Sequence, residues 1–145
     1  MKQVDDYMED GIDCGCVLHG EYYTLDYAKK LEAGLRRNFS CPIRFHIWTE
    51  KAREVPKHWH KHSLKDLGVK GPKKSWWYKT QIFRNKDFQG RLFYFDLDII
   101  ISGNLDWMLR LSSEKFWAVR DFRYLWKKNK MGTWANRAHR PHEGP

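Results

Sequence analysis

The pattern of residues predicts an α/β domain, a mainly parallel sheet with flanking helices. Three features carry that expectation. Two short apolar runs, residues 13–18 and 43–49, bracket a segment whose apolar residues recur at helical spacing. A strand–helix–strand unit of this kind pairs its strands in parallel with a right-handed crossover. A third run, residues 92–101 (LFYFDLDIII), is the most apolar stretch in the chain, and 145 residues suit one domain with a modest core.

Taken in order, residues 1–12 are expected as a frayed, flexible lead-in. Residues 13–18 (DCGCVL) are a short apolar strand, and His19, Gly20 and Glu21 a turn. Thr24 suits a helix cap. Leu25, Ala28, Leu31 and Leu35 follow at helical spacing, with Asp26 in the first turn and Arg36 and Arg37 in the last, as the helix dipole favours. Asn38 and Pro42 stop that helix. In residues 43–49 (IRFHIWT), Ile43, Phe45 and Ile47 share one face and Arg44, His46 and Trp48 the other, which is the alternation of a strand.

Residues 51–74 mix Lys, His, Pro and Gly with little period and are expected as a long basic loop. Ser75 caps a third helix over residues 76–85. Gln89 and Gly90 turn the chain into the strand 92–101, which Gly103 ends. Ser102 or Asn104 caps a short helix through Leu111, and residues 116–119 read as a further strand.

Composition narrows the setting. No run approaches the roughly 20 apolar residues of a membrane helix. The first ten residues carry four acids, unlike a signal or transit peptide. Cys14, Cys16 and Cys41 are odd in number and without a disulfide spacing, so they read as core thiols, and a cytoplasmic location is expected. Net charge is 27 − 18 = +9. Residues 51–74 contribute 8 − 2 = +6 and residues 123–145 contribute 6 − 1 = +5, leaving −2 elsewhere. Such patches attract phosphate in nucleotides, nucleic acid or membrane surfaces. His58, His60 and His62 alternate, but in a Lys-rich stretch they are expected as surface histidines.

The chemistry concentrates at Asp96 and Asp98. They interrupt an apolar decapeptide, where an unpaired carboxylate is costly to bury. Two apart on a strand, they share a side and repel unless a proton or a cation relieves them. Mn²⁺ or Mg²⁺ suits such hard oxygens, typically with phosphate oxygens completing the shell.

These residues also carry a resemblance. The run KTQIF from Lys79, a spacer ending at Gly90, and then RLFYFDLDIIISGNLD from Arg91 to Asp106 resemble glycosyltransferase family 8 and its GT-A relatives, the glycogenin-like and bacterial polysaccharide-building enzymes. Residues 13–18, Tyr22-Tyr23 and FWAVRD at 116–121 are similar to that family's flanking segments. The likeness covers roughly residues 13–122 and implies a Rossmann-like GT-A nucleotide-diphospho-sugar transferase fold.

By the same resemblance, Asp96 and Asp98 hold the metal that bridges a donor diphosphate, and Lys79 lies near the phosphates or donor sugar. Leu18, Gly20 and Tyr23 cradle the nucleotide base, with Leu97 also at the donor site. Asn104 and Asp106 set a helix start. The donor implied is a nucleoside-diphosphate sugar, with UDP the nucleotide and a sugar or protein the acceptor. The family's acceptor-side Asn-Ser/Thr-Gly run and late metal-binding His are not found, and 145 − 98 = 47 residues follow Asp98. The chain is therefore expected to be the donor-binding half, spanning residues 13–122, with residues 123–145 a basic tail.

Two other classes compete. Haloacid dehalogenase-like phosphatases share the Asp-X-Asp pattern, but theirs opens the chain and continues toward Gly-Thr. A basic, aromatic-rich module binding nucleic acid without catalysis accounts for the charge and the eight Trp, yet no nucleic-acid motif accompanies them.

Overall fold

In a computed structural model of the protein, the described residues are 4–68, 74–84, 91–112 and 115–119, the side chains of 4–6, 74, 75 and 84 excepted. The chain divides into two compact units, Met1–Ser113 and Glu114–Pro145. The first holds a four-stranded, all-parallel sheet with helices, an α/β fold. Strand β1 (Ile12–Leu18) lies between β2 (Ile43–Thr49) and β4 (Leu92–Tyr94), and β3 (His60–Ser63) pairs with β2 at the edge. The order is β3-β2-β1-β4.

Helix α2 (Leu25–Asn38) joins β1 to β2, as the apolar spacing predicts. Its Ala28, Leu31 and Leu35 bury against one face of the sheet, among Ile12, Cys14, Cys16, Leu18, Ile43, Phe45 and Ile47. All three cysteines are buried free thiols. Thr24 stands at the cap with extended backbone, but its side chain makes no capping bond. Gly34 faces the returning chain, where a Cβ would sit in ordinary contact, 3.5 Å from Ile101 Cδ1.

The other face carries a smaller cluster of Val17, Trp48 and Ile82, flanked by Leu64, Tyr78, Leu92 and Tyr94. Every residue of β1 is consequently buried, the mark of a parallel strand covered on both sides.

Several expectations change. Residues 4–10, expected as a frayed lead-in, form helix α1 (Val4–Asp10). A helix so short has little stability of its own; Tyr7 anchors it, 6% exposed in the core and 5.5 Å beneath the Arg91 guanidinium. Gly11 then turns left-handed, with φ 74°, to start β1 one residue earlier than expected.

The basic stretch 51–74 is not wholly a loop. It contains β3, whose backbone pairs with β2 although its side chains are Lys, His and Ser and carry no apolar alternation. The third helix begins at Lys74, so Ser75 lies inside it. One turn, α3 (Lys74–Trp77), tightens into a 3₁₀ helix over Tyr78–Arg84.

The apolar run 92–101 does not stay in the sheet. β4 ends at Tyr94, one further bond joins Phe95 N–H to Gly15 O, and the chain turns at Leu97 and Asp98. The Ile99 N–H donates to Asp96 O in place of a ladder bond, and Ile100 is 90% exposed. Asp96 and Asp98 lie past the end of the ladder, where Asp96 meets Lys79 and Tyr94 and Asp98 meets Tyr23.

Beyond Gly103, the short helix is a 3₁₀ turn, Asp106–Arg110. Its N-cap is Leu105, without a side-chain capping bond, rather than Ser102 or Asn104; just ahead of it the Asn104 side chain accepts the Asp106 N–H at 2.9 Å. In the second unit, residues 116–119 are exposed and form no strand. The turn at Gln89 and Gly90 and the basic tail from 123 lie outside the described residues. No helix among the described residues is long and apolar enough to cross a membrane.

One position tests the packing of the second face. A Cβ on Gly15 would come within 2.6 Å of the buried Trp48 ring and 3.1 Å of His46 O. Gly15→Ala is expected to lower unfolding stability by about 1–3 kcal/mol, read by urea denaturation. An unchanged midpoint would show that Trp48 yields without cost.

Candidate functional site

Because all four strands are parallel, their C-terminal ends open onto one edge. β1 leads there into His19 and Gly20, β2 into Glu50, and β4 into Phe95 and Asp96. From β1 the chain steps to β2 and β3 on one side, and β4 then joins on the other. Strand order reverses between β1 and β4, and crevices at such reversals are where open parallel sheets accept ligands.

Two hydrogen-bonded groups furnish this edge. The first grips Gly20, whose φ of 73° turns the chain away from β1. Glu50 Oε1 accepts the Gly20 N–H at 2.6 Å, and Arg53 donates to Gly20 O at 2.7 Å. Arg53 Nε and Thr49 Oγ1 each donate to Glu50 Oε2 at 2.9 Å. His19 Nδ1 lies 2.9 Å from Glu50 Oε1 but off a hydrogen-bonding direction. Its ring stacks on Tyr78 with centroids 4.0 Å apart. Burial works to raise the Glu50 carboxyl; the Gly20 N–H, Arg53 and Thr49 outweigh it and hold it down at about 2.

The second group surrounds the acidic pair. Lys79 Nζ donates to Asp96 Oδ1 at 2.5 Å, and the Tyr94 hydroxyl donates to the same oxygen at 2.7 Å. The Tyr23 hydroxyl donates to Asp98 Oδ2 at 3.4 Å. Burial first, then the bond to Asp96 and the charges of Asp96 and Asp98, push the Tyr94 phenol far above its ordinary value. Tyr23 is raised as well, by partial desolvation and then by Asp98. Both phenols therefore remain protonated donors at neutral pH.

Among the described residues no hydrogen bond reaches Asp96 Oδ2 or Asp98 Oδ1. Asp96 is half-exposed and Asp98 exposed, and each keeps one oxygen without a hydrogen-bond donor among those residues. Carboxylate oxygens are the hard donors that Mg²⁺ or Mn²⁺ accepts alongside phosphate and water. No group of three or more His, Cys, Asp or Glu among the described residues is placed to hold a metal alone.

The residues expected to form the site divide. Asp96 meets Lys79, and Asp98 meets Tyr23. Gly20 stands at the β1 edge. Leu18 and Leu97 point into the core, at 0% and 8% exposure, which leaves only their backbone for a ligand. Sequence reasoning missed Glu50, Arg53, His19 and Tyr94. One signal was available: residues just past the ends of adjacent parallel strands must be neighbours, which places Glu50 beside Gly20.

Of the three histidines expected at the surface, His58 and His60 are exposed and His62 is partly buried. His60 and His62 sit on β3, and their rings stack on buried His46 with centroids 4.7 and 5.2 Å away. His62 Nε2 lies 2.9 Å from His46 Nδ1, and His46 Nε2 lies 2.9 Å from Asp13 Oδ1. His58 is exposed as expected and reaches Glu32 at 3.1 Å. Burial works to raise Asp13, yet the bonds from His46 and Arg44 hold it below its usual value.

Comparison with protein-family models, curated proteins and solved structures gives no match to this chain.

A carboxyl lowered on folding stabilises the protein above its unfolded value, and that contribution is lost as pH falls toward the folded one. For Glu50 the window runs from pH 4.5 down to about 2. Asp13 and Asp106 are lowered too and share the acid limb. Glu50→Gln is expected to reduce the loss of stability across that window, measured by urea denaturation at stepped pH. A slope equal to wild type would show that the grip on Gly20 contributes nothing.

Proposed function

We propose that this chain is the nucleotide-sugar-binding part of a metal-dependent glycosyltransferase, with a Rossmann-like domain of GT-A type. The observation that carries the reading is the acidic pair: Asp96 and Asp98 follow β4 at the strand-order reversal, each with one oxygen that accepts no hydrogen bond among the described residues. Lys79 supplies a cation within reach of a diphosphate bound there. The order of Lys79, the apolar strand, Asp-X-Asp and the Asn104-Leu-Asp106 helix start matches the family pattern.

In this reading Asp96 and Asp98 hold Mn²⁺ or Mg²⁺, which supplies Lewis-acid stabilisation of charge on a departing nucleoside diphosphate. The donor is a nucleoside-diphosphate sugar with UDP as its nucleotide, and the acceptor is a sugar or a protein. Gly20, held from both sides by Glu50 and Arg53, presents a fixed loop beside the acidic pair. Exposed Tyr22 and half-buried Tyr23 follow it and offer ring faces to a base.

Calorimetric titration of UDP, then UDP-glucose, tests the reading with Mn²⁺ and again with EDTA. Binding is expected with the metal only. Asp96→Asn and Asp98→Asn are each expected to weaken it by more than about tenfold, a loss of roughly 1.4 kcal/mol, with unfolding midpoints kept. Unchanged binding in both variants refutes the metal assignment. Salt-sensitive binding of oligonucleotides without metal, and none of UDP, favours the nucleic-acid module instead.

A further inference from the structure

The ion pair inside the acidic site points to a second property. Asp96 Oδ1 already accepts two donors, Lys79 Nζ at 2.5 Å and the Tyr94 hydroxyl at 2.7 Å. A divalent cation placed on Asp96 therefore meets an ammonium on the same carboxylate, and like charges at that separation repel. An incoming diphosphate reverses the balance, because it offers the ammonium a more highly charged partner.

Lys79 is built to make that move. Its backbone is pinned: Gln81, 5% exposed, brackets the Lys65 backbone by accepting its N–H at 2.9 Å and donating to its C=O at 2.7 Å. Ile82 is buried beside Val17 and Trp48, and Tyr78 stacks on His19. The side chain is not pinned. It is 44% exposed, its carboxylate partner is 43% exposed, and its stem carries four rotatable carbons. Half-exposed ion pairs are weak, so exchange of partner is cheap.

Resting on the function proposed above, we infer that Lys79 is the resident counter-ion of Asp96 and that a bound diphosphate draws it away. Cation binding at Asp96 and Asp98 and diphosphate binding then reinforce each other, and the coupling is equal in both directions. Without diphosphate the site holds its own cation and takes a metal poorly. With diphosphate the ammonium transfers to phosphate oxygen, and the positive charge that opposes a metal on Asp96 is removed. The site thus assembles when the donor arrives, and free metal alone does not fill it.

The test is Mn²⁺ binding, followed by electron paramagnetic resonance of the free ion, to the wild type, Lys79→Met and Lys79→Arg, each with and without UDP. Lys79→Met removes the charge at a half-exposed position, and thermal unfolding checks that each variant is folded. In wild type, UDP is expected to raise Mn²⁺ affinity at least about fivefold. Lys79→Met is expected to bind Mn²⁺ alone more tightly than wild type and to lose most of the UDP enhancement. Lys79→Arg is expected to retain both wild-type behaviours. Adding Asp96→Asn to Lys79→Met is expected to remove the gain.

Equal Mn²⁺ affinity in wild type and Lys79→Met, or an undiminished UDP enhancement in Lys79→Met, overturns the exchange and leaves the donor site standing. Absence of Mn²⁺ binding in every protein, with UDP present or not, overturns the proposed function itself.

Discussion

β1 is the member on which the rest of this fold depends. It is hydrogen-bonded in parallel to β2 along seven residue pairs and to β4 along three, and its whole length is buried. A strand ladder-bonded on both sides and covered on both faces has no freedom of register, since a slip of one residue would exchange its two faces. Cys14, Cys16 and Leu18 would then leave the core shared with α2, and Val17 would leave Trp48. Gly15 makes the arrangement tighter, because no side chain fits between it and the Trp48 ring. Once β1 is placed, the ends of its neighbours converge on one edge, and the loops there become a site.

Charge organises what packing leaves open. Each buried or half-buried carboxylate is answered by more than one donor from elsewhere in the chain. Asp13 takes His46 and Arg44. Glu32, on the buried side of α2, takes Arg36 at 2.8 Å and the Trp59 Nε1–H at 2.7 Å, which ties the segment before β3 to the helix. Asp106 takes the Ser40 N–H and hydroxyl, and Leu105 N–H donates to Asn38 O, so the last turn closes against the end of α2. Arg91 works in the opposite sense, donating to the carbonyls of Met108, Leu109 and Leu111. A buried carboxylate is stable only with such partners, and the loops are placed by the need to supply them. Half-exposed Asp96 likewise takes Lys79 and Tyr94, both on one oxygen, while exposed Asp98 takes only Tyr23 among the described residues.

Much of the sheet was legible because its signals are local. β2 matches its alternating run, and α2 matches its apolar spacing between Thr24 and Asn38. The parallel pairing follows from the helix between the strands. The errors share a cause. β3 is an edge strand made of His, Lys and Ser, paired through its backbone, and no pattern of side chains announces it. The run 92–101 misled in the other direction, since its apolar residues suggested a long strand while the ladder ends at Tyr94 with one further bond at Phe95. α1 is stabilised by Tyr7 reaching the core, which no local propensity expresses.

At the site, the residue types were readable and their company was not. Asp96, Asp98 and Lys79 stand out in the sequence because carboxylates and an ammonium interrupt or border apolar runs. That Lys79 rests on Asp96, that Tyr94 shares the same oxygen, and that Glu50 and Arg53 hold Gly20 are contacts across 17, 2, 30 and 33 positions. The sequence by itself determined the α/β pattern, the βαβ pairing and the presence of two acids in an apolar setting, since hydrophobic period and residue chemistry act over a few neighbours. Only the tertiary structure decided where the last strand ends, which histidines meet and which cation sits on Asp96. Those outcomes depend on which distant groups the parallel ladders carry to the same edge.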